Sequence, residues 1–409
     1  MVISSDFSAD SELFVPDSRR AWTRLAVAVL IGSLGSVGMW SVVVALPAIQ
    51  ADFGVDRAAA ALPYTLAMIA FGGGGIITGR LADRFGVALP LVLGTLALAL
   101  GYLAAGHAAS LTQVALAHAL IGLGCSATFG PLMADISHWF ARRRGIAVAI
   151  AASGNYLAGT IWPPVVQHFI ASDGWRATHN GIGLFLLAAM LPIILLLRRR
   201  IREHHSDAAG APRLQVAPVS PAALQTLLCI AGVACCVAMS MPQVHLVAYC
   251  GDLGYGPARG AEMLSLMLGF GIVSRVGSGY IADRIGGVRT LLLGSVLQGV
   301  ALFLYLLFNG LTSLYVISAL FGLFQGGIVP SYAIIIREYF PAREAGTRVG
   351  VLLLATLIGM ALGGWMSGLV FDLTGSYQAA FLNGLGWNLI NVSIMTFLLL
   401  CARRRPALA

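Results

Sequence analysis

The sequence predicts an all-α membrane protein: twelve transmembrane helices in two six-helix halves, with both termini cytoplasmic. Three observations carry that expectation. The 409 residues are 58% hydrophobic and only 10% charged, where soluble proteins carry about 25% charged residues. Apolar runs of the roughly 20 residues needed to cross a bilayer recur along the chain. The chain also repeats part of itself at an offset of 200 residues, as Gly79, Asp83, Arg84 and Gly86 return at Gly279, Asp283, Arg284 and Gly286.

In chain order, the opening MVISSDFSADSELFVPDSRR is polar and acidic and has no apolar core. Residues 1–22 therefore read as a cytoplasmic tail and not as a signal peptide. Apolar runs place spans near 23–48, 58–82, 87–106, 111–138, 146–170 and 177–197. Residues 198–221 are charged and Pro-containing and read as a cytoplasmic linker. The series resumes near 222–249, 260–282, 288–308, 312–337, 348–371 and 378–401, before a tail at 403–409. The halves are thus 23–197 and 222–402.

The chain has no lysine, so all 25 basic residues are arginines. With these spans, 21 of the 25 fall on the face that carries both termini. Only Arg57, Arg176 and Arg259 fall on the other face, and Arg275 lies within a span. The positive-inside rule then makes the termini cytoplasmic. The formal charge of +8 reflects this loop asymmetry, so no nucleic-acid partner is expected. Six cysteines lie mostly within apolar runs, without C-x-x-C or zinc spacing, and read as small packing residues. Without lysine there is no Walker motif. No metal, cofactor or paired catalytic acids are expected, so the chain reads as no enzyme.

The repeat has further matches. Ala119-Leu120-x-Gly122-Leu123 returns as Ala319-Leu320-x-Gly322-Leu323, and Phe140 and Arg143 return as Phe340 and Arg343. Parallel six-helix repeats are what transporter halves look like, with a ligand site between them near mid-membrane.

Gly79-Arg80-Leu81-Ala82-Asp83-Arg84-Phe85-Gly86 and Gly279-Tyr280-Ile281-Ala282-Asp283-Arg284-Ile285-Gly286 resemble the loop 2–3 and loop 8–9 motif of the major facilitator superfamily. Trp139-Phe140-Ala141-Arg142-Arg143-Arg144-Gly145, followed by Ala151-Ala152-Ser153-Gly154, resembles the helix-5 motif of its monocarboxylate transporter family. Gln243-Val244-His245-Leu246-Val247-Ala248-Tyr249 with Asp252-Leu253-Gly254, and Ser274-Arg275 with Gly279 and Asp283, resemble helices 7 and 8 of the bacterial members. The resemblance implies the major facilitator fold, a bacterial inner membrane, and a helix-8 arginine that binds the substrate carboxylate.

An arginine within the membrane costs about 2.5–3.5 kcal/mol on insertion scales. Arg275 shares a helix face with Gly271, Ser278, Gly279 and Ala282, which leaves room beside it for a ligand. The alternative is close helix packing, with Arg275 paired to a carboxylate. The resemblance implies a second basic residue in helix 11 of dianion carriers such as oxalate–formate exchangers; Val349 to Phe371 contains none, which favours a monocarboxylate such as lactate or pyruvate over a dicarboxylate. Trp40, Asn155, Tyr156, Gln325 and Tyr332 are mid-span candidates for the pocket, and ordinary packing residues otherwise.

Two residues expected of animal members are missing: helix 1 has no lysine, and position 271 is glycine where an aspartate is expected. If transport is proton-coupled, Asp252 and His245 are the candidates. A loop carboxylate and a structural histidine are their alternatives. Gly79, Asp83, Arg84, Arg143, Gly279, Asp283 and Arg284 read as a cytoplasmic gate, or else as determinants of topology alone.

The function expected is a secondary transporter, a proton-coupled symporter of small monocarboxylates working by alternating access as a monomer in the lipid bilayer. An oxalate/formate-like exchanger and a non-transporting membrane ligand sensor are the alternatives.

Overall fold

A computed structural model describes residues 16–197, 217 and 219–404. The first 15 residues, most of the linker and the last five lie outside the described residues, so the expectations for both tails and the linker fall largely there.

Eleven helices are long and apolar enough to cross a membrane, and one of them is double. Gly145–Leu195 would be about 75 Å long at 1.5 Å per residue, against a hydrocarbon core of about 30 Å. Gly174 breaks it with φ 80° and ψ 161°, a conformation open to glycine. Twelve spans result among the described residues. They are α1 (Arg19–Phe53), α2 (Arg57–Phe85), α3 (Ala88–Gly106), α4 (Leu111–Trp139), α5 (145–173) and α6 (175–195). The second six are α7 (Pro221–Asp252), α8 (Pro257–Ile285), α9 (Gly287–Leu307), α10 (Leu311–Tyr339), α11 (Ala342–Thr374) and α12 (Tyr377–Arg404). Several run a turn or more past the apolar segments.

The repeat is visible in three dimensions. A Cβ on Gly122 of α4 would overlap the Ala67 carbonyl of α2, and a Cβ on Gly322 of α10 would overlap the Met267 carbonyl of α8. These glycines set the same crossing in each bundle at the 200-residue offset, since only glycine lets the backbones approach this closely. The helical breaks also correspond: α4 is interrupted at Thr128–Phe129 and α10 at Gly326–Gly327.

Within the first bundle, Arg24 of α1 donates from Nε (2.6 Å) and Nη2 (2.8 Å) to Asp135 of α4. The Arg24 guanidinium also lies 4.6 Å from the Trp139 ring. Asn388 and Asn391 of α12 donate to the Ser295 and Ala231 carbonyls, the interhelical role expected for amides in an apolar bundle. The two bundles meet along α5 against α8 and α2 against α11. The site lies between these seams.

Candidate functional site

A cavity of about 740 Å³ runs between the bundles from mid-membrane to the face that carries the termini. At its inner end are Met39, Trp40, Asn155, Tyr156, Gln243 and Arg275, and at its mouth are Gly79, Arg80 and Asp83 of α2 with Gly346 and Thr347 of α11.

Arg275 is half-buried and carries no ion pair among the described residues. Its Nη1 donates to the Ala152 carbonyl of α5 at 3.2 Å. Its guanidinium carbon lies 3.9 Å from the Tyr156 ring centroid, a cation–π contact. Its Nε is buried without a hydrogen-bond partner. A guanidinium held on one face by an aromatic ring keeps donor capacity to spare, which an acceptor entering the cavity could use.

The space beside Arg275 is used differently from the sequence expectation. A Cβ on Gly271 would overlap the Tyr156 ring, so this glycine admits the tyrosine under the arginine and not a ligand. A Cβ on Gly279 would meet nothing within 4 Å, so open space remains one turn or two toward the mouth. Ser278 donates to the Arg275 carbonyl at 3.1 Å. The Ser274 hydroxyl accepts from the Gly327 N–H at 3.1 Å, filling the break in α10.

Three of the other sequence candidates gather with Arg275 at the inner end of the cavity. Trp40 Nε1 donates to the Asn155 carbonyl at 3.1 Å, and Asn155 Nδ2 lies 3.1 Å from Met39 Sδ. Gln325 does not line the cavity: it is buried behind Gln243, whose Nε2 donates to Gln325 Oε1 at 3.0 Å. Gln243 is the amide that reaches the cavity wall. Tyr332 is fully buried among α7, α10 and α12 and accepts from Asn391 Nδ2 at 2.7 Å.

The candidate gate residues lie on the face where the cavity opens. Gly79 and Asp83 border the mouth, Arg84 faces Phe85, and Arg284 donates to Tyr280 on its own helix. Asp283 is exposed. The Arg143 N–H donates to Asp17 at 3.3 Å and its guanidinium lies 6.0 Å from the Trp22 ring, both within the first bundle. Asp17 also accepts from the Arg142 N–H at 2.9 Å, which holds its carboxyl below the usual carboxylate range.

The opposite face is closed by a cluster centred on Arg57, at the start of α2. Its main-chain N–H and that of Ala58 donate to the two carboxylate oxygens of Asp372, at the end of α11, at 2.9 and 2.7 Å. The guanidinium pairs with Asp252 of α7 at 3.2 Å and donates to the Tyr377 hydroxyl of α12. A Cβ on Gly368 of α11 would lie 2.9 Å from the Ala58 Cα, so this glycine allows the two bundles to touch.

His245 lies behind the same cluster, fully buried and away from the cavity wall. Its Nε2 is 2.7 Å from the Gly364 carbonyl, which can only accept, so Nε2 carries the hydrogen. Its Nδ1 then accepts from Tyr377 at 3.4 Å. Asp252 and His245 are therefore linked through Arg57 and Tyr377. Sequence reasoning counted Arg57 only toward topology and did not single out Asp372, Tyr377 or Gln243. For Arg57, Asp372 and Tyr377 the one signal was charge or polarity at the end of an apolar run.

The Major Facilitator Superfamily model matches residues 28–313 and 263–408. The chain belongs to that superfamily. Among its relatives, monocarboxylate transporter 13 of Rattus norvegicus is 30% identical over 287 residues, 66% of this chain and 64% of that protein. The match thus spans a little under two thirds of that relative's length. The MFS-type transporter pynF of Aspergillus niger is 24% identical over 328 residues, 80% of this chain and 75% of that protein. Superfamily folds agree in solved structures. A bacterial homologue of the human lysosomal transporter Spinster, in an inward-facing and unoccupied conformation, has a TM-score of 0.69 at 16% identity, covering 94% of this chain and 96% of that one. The nucleoside transporter NupG has a TM-score of 0.73 at 13% identity, covering 91% and 99%.

Proposed function

We propose that this protein moves a monocarboxylate together with a proton, by alternating access, as a member of the bacterial branch of the monocarboxylate transporter family in a bacterial cytoplasmic membrane. The observation that carries the reading is Arg275: a cation at the inner end of a cavity between two bundles, stacked on Tyr156, with no ion-pair partner among the described residues. Names of relatives such as monocarboxylate transporter 13 agree with it.

Charge bookkeeping supports one carboxylate. Closing the bundles around an empty site would desolvate a lone cation, which costs several kcal/mol. A bound monocarboxylate brings the site to neutrality, and a dicarboxylate would leave an uncompensated negative charge. The substrate therefore lowers the barrier to the closed intermediate, which ties movement of the bundles to loading.

With the termini cytoplasmic, this conformation is the inward-open one. Of the gate residues Gly79, Asp83, Arg84, Arg143, Gly279, Asp283 and Arg284, Gly79 and Asp83 border the open mouth, and the set would come together when the cavity faces outward. The proton acts at the outer cluster. A proton on Asp252 removes its charge from Arg57, and a proton on His245 Nδ1 removes the acceptor of Tyr377. Either change weakens the outer closure and couples proton entry to outward opening.

The test is uptake of labelled monocarboxylates, from lactate and pyruvate to the bulkier 3-phenyllactate, into proteoliposomes, with and without an inward proton gradient, beside Arg275→Ala. Gradient-stimulated uptake that Arg275→Ala abolishes is the expected result. Uptake indifferent to the gradient but accelerated by internal anion would replace symport with exchange. Full uptake by Arg275→Ala would overturn the binding role.

A further inference from the structure

The wall facing Arg275 says what the rest of the substrate is made of. From the monocarboxylate reading, on which this rests, we infer that the carboxylate carries a bulky apolar body, branched aliphatic or aryl, and that lactate and pyruvate are poor ligands.

The small acids present a hydroxyl or keto oxygen beside the carboxylate and need a polar partner for it. Two of the side-chain N–H donors at the inner end are already engaged. Trp40 donates to a main-chain carbonyl, and Gln243 donates to Gln325. The Asn155 amide is turned toward the Met39 sulfur. What remains is apolar and deformable: Met39 of α1, Met68 of α2, Met239 of α7 and Met360 of α11, with the Tyr64 ring among them. Thioethers on four helices, two in each bundle, surround the space into which the body of an Arg275-bound acid must project.

Methionine is unbranched and polarisable, and it fits apolar shapes that stiffer side chains reject. Water against such a wall is poorly held, so an apolar body that displaces it gains affinity. Among the described residues, the other charged groups in the lining, Arg80 and Asp83, are at the mouth and are of opposite sign. They offer no second anchor for a dianion near Arg275. A cavity of about 740 Å³ also falls in the range that holds drug-sized ligands, about 300–1,000 Å³.

The test is equilibrium binding to the full-length protein in nanodiscs, with three acids that share one head group: lactate, 2-hydroxy-4-methylpentanoate and 3-phenyllactate. Each buried methylene adds roughly fourfold in affinity, so the last two should bind at least about tenfold tighter than lactate. Met239→Ser and Met360→Ser should each reduce that preference severalfold. Equal affinity across the series, with binding still lost in Arg275→Ala, would overturn the apolar body and leave the carboxylate reading intact. No binding of any acid, or binding indifferent to Arg275→Ala, would overturn both.

Discussion

Asp372 offers the sharpest handle on the conformational half of this account. Its carboxylate accepts two main-chain N–H groups from the other bundle, at 2.9 and 2.7 Å, just where Gly368 lets the bundles touch. Asp372→Asn keeps the shape but removes the charge and turns an amide N–H₂ against one of the donors. Hydrogen bonds to a charged group contribute about 1.5–3 kcal/mol each. Asp372 is exposed, so the pair together is worth about 2–3 kcal/mol at most. At about 1.4 kcal/mol per tenfold, the outward-open population should rise roughly 30- to 150-fold. A resting preference of ~99:1 for outer closure would become nearly even. Spin labels at Ala109 and Asn309, in a background lacking the six native cysteines, read the outer separation as a distance distribution. Asp372→Asn should add a long component that wild type lacks. Gly368→Val, whose Cβ would lie 2.9 Å from the Ala58 Cα, should act in the same direction by steric means. An unchanged distribution in both variants would refute the claim that this seam closes the outer face.

Two further substitutions test the packing beneath the site. Gly271→Ala places a methyl group in the Tyr156 ring, so it should raise KM by about tenfold or more while the protein still purifies as a folded monodisperse species; an unchanged KM would mean that Tyr156 does not position Arg275. Arg24→Met strands Asp135 in a half-buried place, and breaking a buried pair costs about 3–5 kcal/mol. Thermal unfolding in detergent should show a clear fall in midpoint, and Arg24→Met with Asp135→Leu should recover most of it, because the double variant leaves no unpaired charge.

The spans were legible because lipid demands a single simple property, continuous apolar length. Their ends and breaks were not. Gly174 separates α5 from α6 by its backbone conformation, and Gly326–Gly327 interrupts α10. Gln325 and Tyr332, both mid-span in sequence, do not line the cavity. Within a membrane, helix faces toward lipid and toward protein are both apolar, so periodicity does not reveal which side meets the cavity. Arg275 stood out because a charge is expensive there, whereas Gln243 and the methionines carry no such mark. The outer cluster was hidden for another reason. Arg57 and Asp372 are more than 300 residues apart, and their contact exists only because two bundles close on each other.

The central claim is that Arg275 recognises a carboxylate, and the most direct measurement is its discrimination between an acid and its neutral amide. Equilibrium binding of 3-phenyllactate and 3-phenyllactamide should be compared in wild type and Arg275→Gln. Wild type should prefer the acid by about 100-fold, the size of a charge-assisted pair, and Arg275→Gln should lose this preference while still binding the amide. An acid preference that survives in Arg275→Gln would contradict the claim.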